Sequence, residues 1–218
     1  MRFVATLATC AFVALPALRA GADLLTFVAD GRYVLVDHCP ALDPCEADSR
    51  RPPTAFADFD DEASGAGMTA RQQTTLSNGA ESATLGGTLD SGSPSTPPLG
   101  TTVGDAVFDL TFEAEEGATF AWSGTGSIAG GGYGGVFLTD LTADEILFET
   151  SLPADRTESG VLSAGHRYRL YQHATTQEQG SADWEFELSV GPEPRLPVAF
   201  AWGLALASLL RRRARGGG

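Results

Sequence analysis

Near the end of the chain Ala182, Trp184, Phe186, Leu188 and Val190 alternate with Asp183, Glu185, Glu187 and Ser189. A repeat of two sends successive side chains to opposite sides of a strand, so this segment has one buried and one wet face. Ala106, Phe108, Leu110 and Phe112 alternate in the same way with Val107, Asp109, Thr111 and Glu113, and Ala118, Phe120 and Trp122 continue the pattern. Shorter runs follow at 136–138, 145–148 and 166–171, and no stretch between 23 and 190 carries a helical period. One-sided alternation broken by frequent turns predicts an all-β body, an antiparallel β-sandwich of jelly-roll-like form.

In the first half, 24–29 and 32–36 flank Asp30-Gly31, a hairpin signal, and 54–59, 67–76 and 84–90 read as strands. Residues 37–51 read as a loop held by Cys39 and Cys45, and 91–100 carries too many Pro, Gly and Ser residues for regular structure. The glycine-dense stretch 124–135 has no helix start behind it. It therefore reads as a turn, or as a strand that allows close backbone approach, and not as a nucleotide loop.

The two ends have a different character. Met1-Arg2, an apolar run over 3–18 and Ala20-Gly21-Ala22 form a secretory signal peptide over 1–22. At the other end, residues 191–218 hold Pro192-Glu193-Pro194, an apolar segment 196–210, and then Arg211, Arg212 and Arg213. A helix over 196–210 would cover ~22 Å, which spans a bilayer with local thinning or arginine snorkelling. The arginines should stay cytoplasmic, which places the body on the far side.

This order of Pro-Glu-Pro, short apolar helix and arginine cluster resembles a PEP-CTERM sorting signal. The resemblance covers about an eighth of the chain. It implies recognition by an exosortase, a membrane-embedded cysteine peptidase or transpeptidase. It also implies a Gram-negative cell envelope and an association with exopolysaccharide or biofilm. The tail is then either retained as a single-pass anchor or removed after the motif. A second resemblance lies in 160–170, where a Leu-x-Ala-Gly turn precedes a tyrosine-bearing strand, as in the last hairpin of many secreted bacterial β-sandwiches.

Between the ends, the body 23–190 holds 7 arginines against 27 acidic residues, a formal charge of −20. Phosphate recognition needs clustered basic residues, so nucleic acid is excluded as a partner. The chain has no lysine, which removes Schiff-base, Ser-Lys and Walker A chemistry. No residue set identifies a reaction, and the expectation is a protein without catalysis. In an exported chain Cys39 and Cys45 predict a disulfide. A metal site built from His38, Cys39, Asp43 and Cys45 would ordinarily need a second Cys/His pair.

Two further sites are candidates. Asp58, Asp60 and Asp61 concentrate carboxylates, which suggests calcium, although the EF-hand spacing is absent. Tyr133, Tyr168, Tyr171, Trp122 and Trp184 could stack sugars. Both tryptophans fall in the buried phase of their strands, while Tyr171 shares a face with Arg167 and Arg169, so Tyr171 is the exposed carbohydrate candidate. The leading expectation is an exported, envelope-anchored structural protein associated with exopolysaccharide. The alternatives are a carbohydrate-binding surface module and a calcium-stabilised adhesin.

Overall fold

The computed structural model describes residues 23–193 apart from 41–43 and 94–99. The signal peptide 1–22, the apolar segment 196–210 and Arg211–Arg213 lie outside the described residues. No helix among the described residues is long and apolar enough to cross a membrane.

The alternating segments form strands as expected, and all the strand pairs are antiparallel. The strands are β1 (Leu25–Asp30), β2 (Tyr33–Pro40), β3 (Glu46–Arg50), β4 (Phe59–Gly65), β5 (Met68–Asn78), β6 (Ala83–Gly92), β7 (Gly100–Ala114), β8 (Ala118–Asp140), β9 (Glu145–Ser151), β10 (Ala154–Leu162) and β11 (Arg167–Pro192). They belong to one sheet that folds into a nearly closed barrel. Where a sandwich would have two separate sheets, the layers here are halves of a continuous one.

The fold-over is carried by β8 and β11, which pair along nearly their whole lengths. The early part of β11, 167–177, lies between β7 and the late part of β8. Its later part, 181–190, lies between β6 and the early part of β8. The ribbon creases between them, where the register shifts between Thr176 and Gly180. The glycine-dense stretch makes this crease possible. Gly130 has φ of 58°, and a Cβ on Gly132 would overlap the Ser181 carbonyl oxygen. Of the two readings of that stretch, the strand with close backbone approach is the one observed.

Folding the ribbon brings the two inner faces together. Phe108 meets Phe186 edge-on at 5.0 Å, and Trp122 packs on Phe148 at 5.1 Å and Trp184 at 6.2 Å. The Trp184 indole N–H donates to the His173 carbonyl at 3.1 Å, tying one layer to the other. Trp122, Trp184 and Tyr168 are each 1% exposed, so they form core and no sugar platform. The Tyr168 hydroxyl accepts the Ser163 N–H at 2.7 Å.

The Asp30-Gly31 hairpin does not form. β1 and β2 both pair with β7, β1 along 110–114 and β2 along 100–107. They make one broken strand with a kink at Gly31-Arg32. The reason is the Arg32 side chain, which turns inward and is fully buried. Its Nε and Nη2 donate to the two carboxylate oxygens of Asp30 at 2.9 and 2.6 Å. Nη2 also donates to the Ala57 carbonyl at 2.6 Å, and Nη1 to the Thr74 hydroxyl at 3.1 Å. Asp30 also accepts the Phe56 N–H at 2.8 Å, which pins the 52–58 segment against the sheet. That segment is mostly turn, so the strand expected at 54–59 begins only at Phe59. Part of the expected 37–51 loop is strand as well, in β2 and β3.

Candidate functional site

The outward face of the layer built from β2, β7, early β11 and late β8 carries an aromatic cluster. Cross-strand register aligns Tyr33 with Val107, Val107 with His173, and His173 with Gly135. The next outward row aligns Asp109, Tyr171 and Phe137. On the other side, Asp105, Thr175 and Tyr133 form a row. Alternation therefore puts Tyr33, Tyr133, Phe137, Tyr171 and His173 on one surface.

Four of these side chains form a chain of ring contacts. Tyr171 and His173 lie 5.4 Å apart, Tyr133 meets His173 at 6.0 Å, and Phe137 is 6.4 Å from Tyr171. Val107 shares this outward row yet is only 2% exposed. Tyr133 remains 44% exposed. The cluster is thus a small apolar patch on the wet side of a sheet, an arrangement that marks an interaction surface.

Charges frame the patch. Arg169 donates through Nε and Nη2 to the two oxygens of Asp109, both at 2.7 Å, and its guanidinium sits 5.1 Å from the Tyr171 ring centre. Arg51 lies 6.0 Å from the Tyr33 ring centre. Burial pushes the Tyr171 phenol above its ordinary range, and the charges of Asp105 and Asp109 add to this against the opposing Arg169. Tyr33 rises for the same reasons, burial first and then Asp105. Burial lowers His173, with Asp105 opposing, and its buried Nδ1 has no hydrogen-bond partner among the described residues. Near neutral pH Tyr33, Tyr171 and His173 are therefore uncharged.

Of the expected residues, Tyr171 lies at the centre of this patch. Tyr33, Phe137, His173 and Asp105 were not anticipated. The outward phase of Tyr33 beside Val34 and Val36 could have flagged it, but only the strand register reveals its neighbours.

The remaining candidates are dispersed. Cys39 and Cys45 form the expected disulfide. The His38 ring nitrogen Nδ1 lies 2.8 Å from the Thr102 hydroxyl. Asp58 accepts the Leu76 N–H at 3.1 Å, Asp60 pairs with Arg71 at 3.2 Å, and Asp61 accepts the Glu62 N–H at 2.8 Å. Among the described residues no three His, Cys, Asp or Glu side chains stand together as a metal-holding group. Pro192 ends β11 opposite Ala118, and the Glu193 N–H donates to the Gly117 carbonyl at 3.3 Å. Pro194 is outside the described residues.

Among the described residues His166 and Asp140 form a His–acid pair. His166 Nδ1 lies 2.7 Å from a carboxylate oxygen of Asp140. The other oxygen accepts the Thr142 and Ala143 N–H groups, each at 2.9 Å. Asp140 therefore ties the β8–β9 turn to the start of β11. Burial works to raise its pKa, but the hydrogen bonds from His166 and the turn outweigh it and hold the pKa low. Among the described residues no serine or cysteine side chain is hydrogen-bonded to His166.

No protein-family model matches the chain, and no curated protein matches it.

Proposed function

We propose that this is an exported protein of the PEP-CTERM type, held at or displayed from a Gram-negative envelope, whose β-domain binds exopolysaccharide without catalysis. The contiguous outward cluster of Tyr133, Phe137, Tyr171 and His173, with Tyr33 on the same face, carries the reading. Pyranose rings present apolar C–H faces with hydroxyls at their edges, and aromatic rings beside polar groups suit both. This joins the structural, exopolysaccharide-associated role to the carbohydrate-binding alternative. At finer grain we read the folded sheet as a flattened barrel serving as a sandwich. The tail supplies the address, with an exosortase-type enzyme as processing partner and the 196–210 helix as the membrane attachment before processing.

The test is affinity electrophoresis of the full chain in mild detergent through gels containing neutral polysaccharides. The wild-type protein should be retarded by at least one of them, and Tyr171→Ala should run unretarded. Equal retardation of the two proteins would place binding elsewhere, and the platform reading would fall. Intact mass of the protein from membrane and released fractions tests the tail separately. A released form ending near Pro192 supports processing, and a membrane-only form ending at Gly218 makes the tail a plain anchor.

A further inference from the structure

Within the aromatic patch one carboxylate is unaccounted for. Asp105 faces outward on β7, half-buried, in register with Leu35 on one side and Thr175 on the other. It accepts no hydrogen bond and joins no ion pair among the described residues. Asp109, two outward positions further on, has both oxygens filled by Arg169. Asp105 lies diagonally adjacent to Tyr33 and His173, and Tyr133 lies across Thr175 from it. Its field reaches Tyr33, Tyr171 and His173.

We propose that this face selects sugars bearing a free amine, with Asp105 as the anchor for the ammonium group while the ring stacks on the neighbouring aromatics. The inference rests on the polysaccharide-binding reading above and adds the chemical class of the sugar. Three observations support it. A half-buried carboxylate without a partner gains a charge-assisted hydrogen bond when an ammonium arrives. The rings of this patch already sit beside positive groups, Arg51 at Tyr33 and Arg169 at Tyr171, so their faces accept cations. The charge of −20 on the body attracts cationic polymers and repels polyuronates.

The experiment measures binding of the full chain in detergent to three probes: a β-1,4-linked glucosamine hexamer, its fully N-acetylated form and the glucose hexamer. The amine-bearing hexamer should bind about tenfold tighter than either neutral probe at low salt, and the preference should shrink at about 0.5 M salt. Asp105→Asn is nearly isosteric. It should abolish the preference, leave neutral binding within about twofold, and leave the melting temperature unchanged. Asp183→Asn, on the outward face of the other layer, should keep the preference. If Asp183→Asn erases it equally, bulk charge is responsible and the inference is overturned. It is also overturned if Asp105→Asn keeps the preference, or if no preference exists. Neutral binding lost in Tyr171→Ala but lacking any amine preference sinks this inference alone. Tyr171→Ala without effect on any probe sinks the platform itself.

Discussion

Replacing Arg32 with methionine keeps much of the buried stem and removes the guanidinium. Four hydrogen bonds disappear with it: two to Asp30, one to the Ala57 carbonyl and one to Thr74. The Asp30 side chain is only 3% exposed. It would keep the Phe56 N–H and the backbone N–H at position 32, but its charge would have no counterpart. Removing one member of a buried ion pair costs about 3–5 kcal/mol, mostly from the stranded charge. For a domain of this size, about 2–4 °C per kcal/mol gives a melting temperature lower by about 6–20 °C. The loss should depend on pH. In the native protein burial raises the Asp30 pKa, but Arg32 and the Phe56 N–H outweigh it and hold it below 3.8. A depressed carboxylate contributes stability above its unfolded pKa and loses it as pH falls through the folded one. In the variant Asp30 loses its main stabiliser, so protonation relieves the strandedness and the gap between the proteins narrows as pH falls toward 4. Urea titrations of both proteins at several pH values measure this. A loss below about 1 kcal/mol, or a gap that does not change with pH, would refute the reasoning.

Gln172 is fully buried between Phe108 and Val136 in register, and neither side-chain amide atom has a partner among the described residues. Gln172→Leu should therefore raise stability by about 1–2 kcal/mol, read as a higher urea midpoint at unchanged slope. Gly132→Ala, at the crease, should cost about 1–3 kcal/mol or prevent folding, because its Cβ would collide with the Ser181 backbone. Gly191→Ala, with no described atom within 4 Å of its Cβ, should change stability by less than about 0.5 kcal/mol in the same denaturation assay. The lowered pKa of His173 means that the unfolded chain takes up its proton first. Stability should thus decline as pH falls through about 6.5, and His173→Phe should flatten that part of a pH–stability curve.

The period-two segments after residue 100 were legible because burial on one face leaves a direct imprint on the sequence. Their lengths were not. The runs at 166–171 and 182–190 belong to one strand of 26 residues, and the glycines and Thr-Gln residues between them look like a loop until β8 is seen to follow them. Asp30-Gly31 misled for a tertiary reason. Local turn chemistry favours a hairpin there, but Arg32 has a buried carboxylate, a carbonyl and a hydroxyl to bind, and β7 offers both flanking segments one edge to pair with. β3 and β10 are charged or polar edge strands with little apolar alternation, so periodicity passes over them. Tyr171 could be picked out by its phase alone. Its partners come from β2, β7 and β8, and no spacing along the chain encodes which residues those strands place beside it.

β11 has a mechanical meaning. It carries Arg169, Tyr171 and His173 near its start and runs without a break in the chain to Pro192, from which the sequence passes into the arginine-rich tail. If the face holds a polymer and the tail an anchor, as proposed, a pull between them would travel along a single strand. That strand is flanked on both sides over most of its length, by β8 on either side of the crease and by β7 and then β6 opposite. A force directed along the strand loads those ladders in shear, many bonds at once, where a pull at an edge would open them one at a time. On the proposed reading, the domain would act as a tensile link.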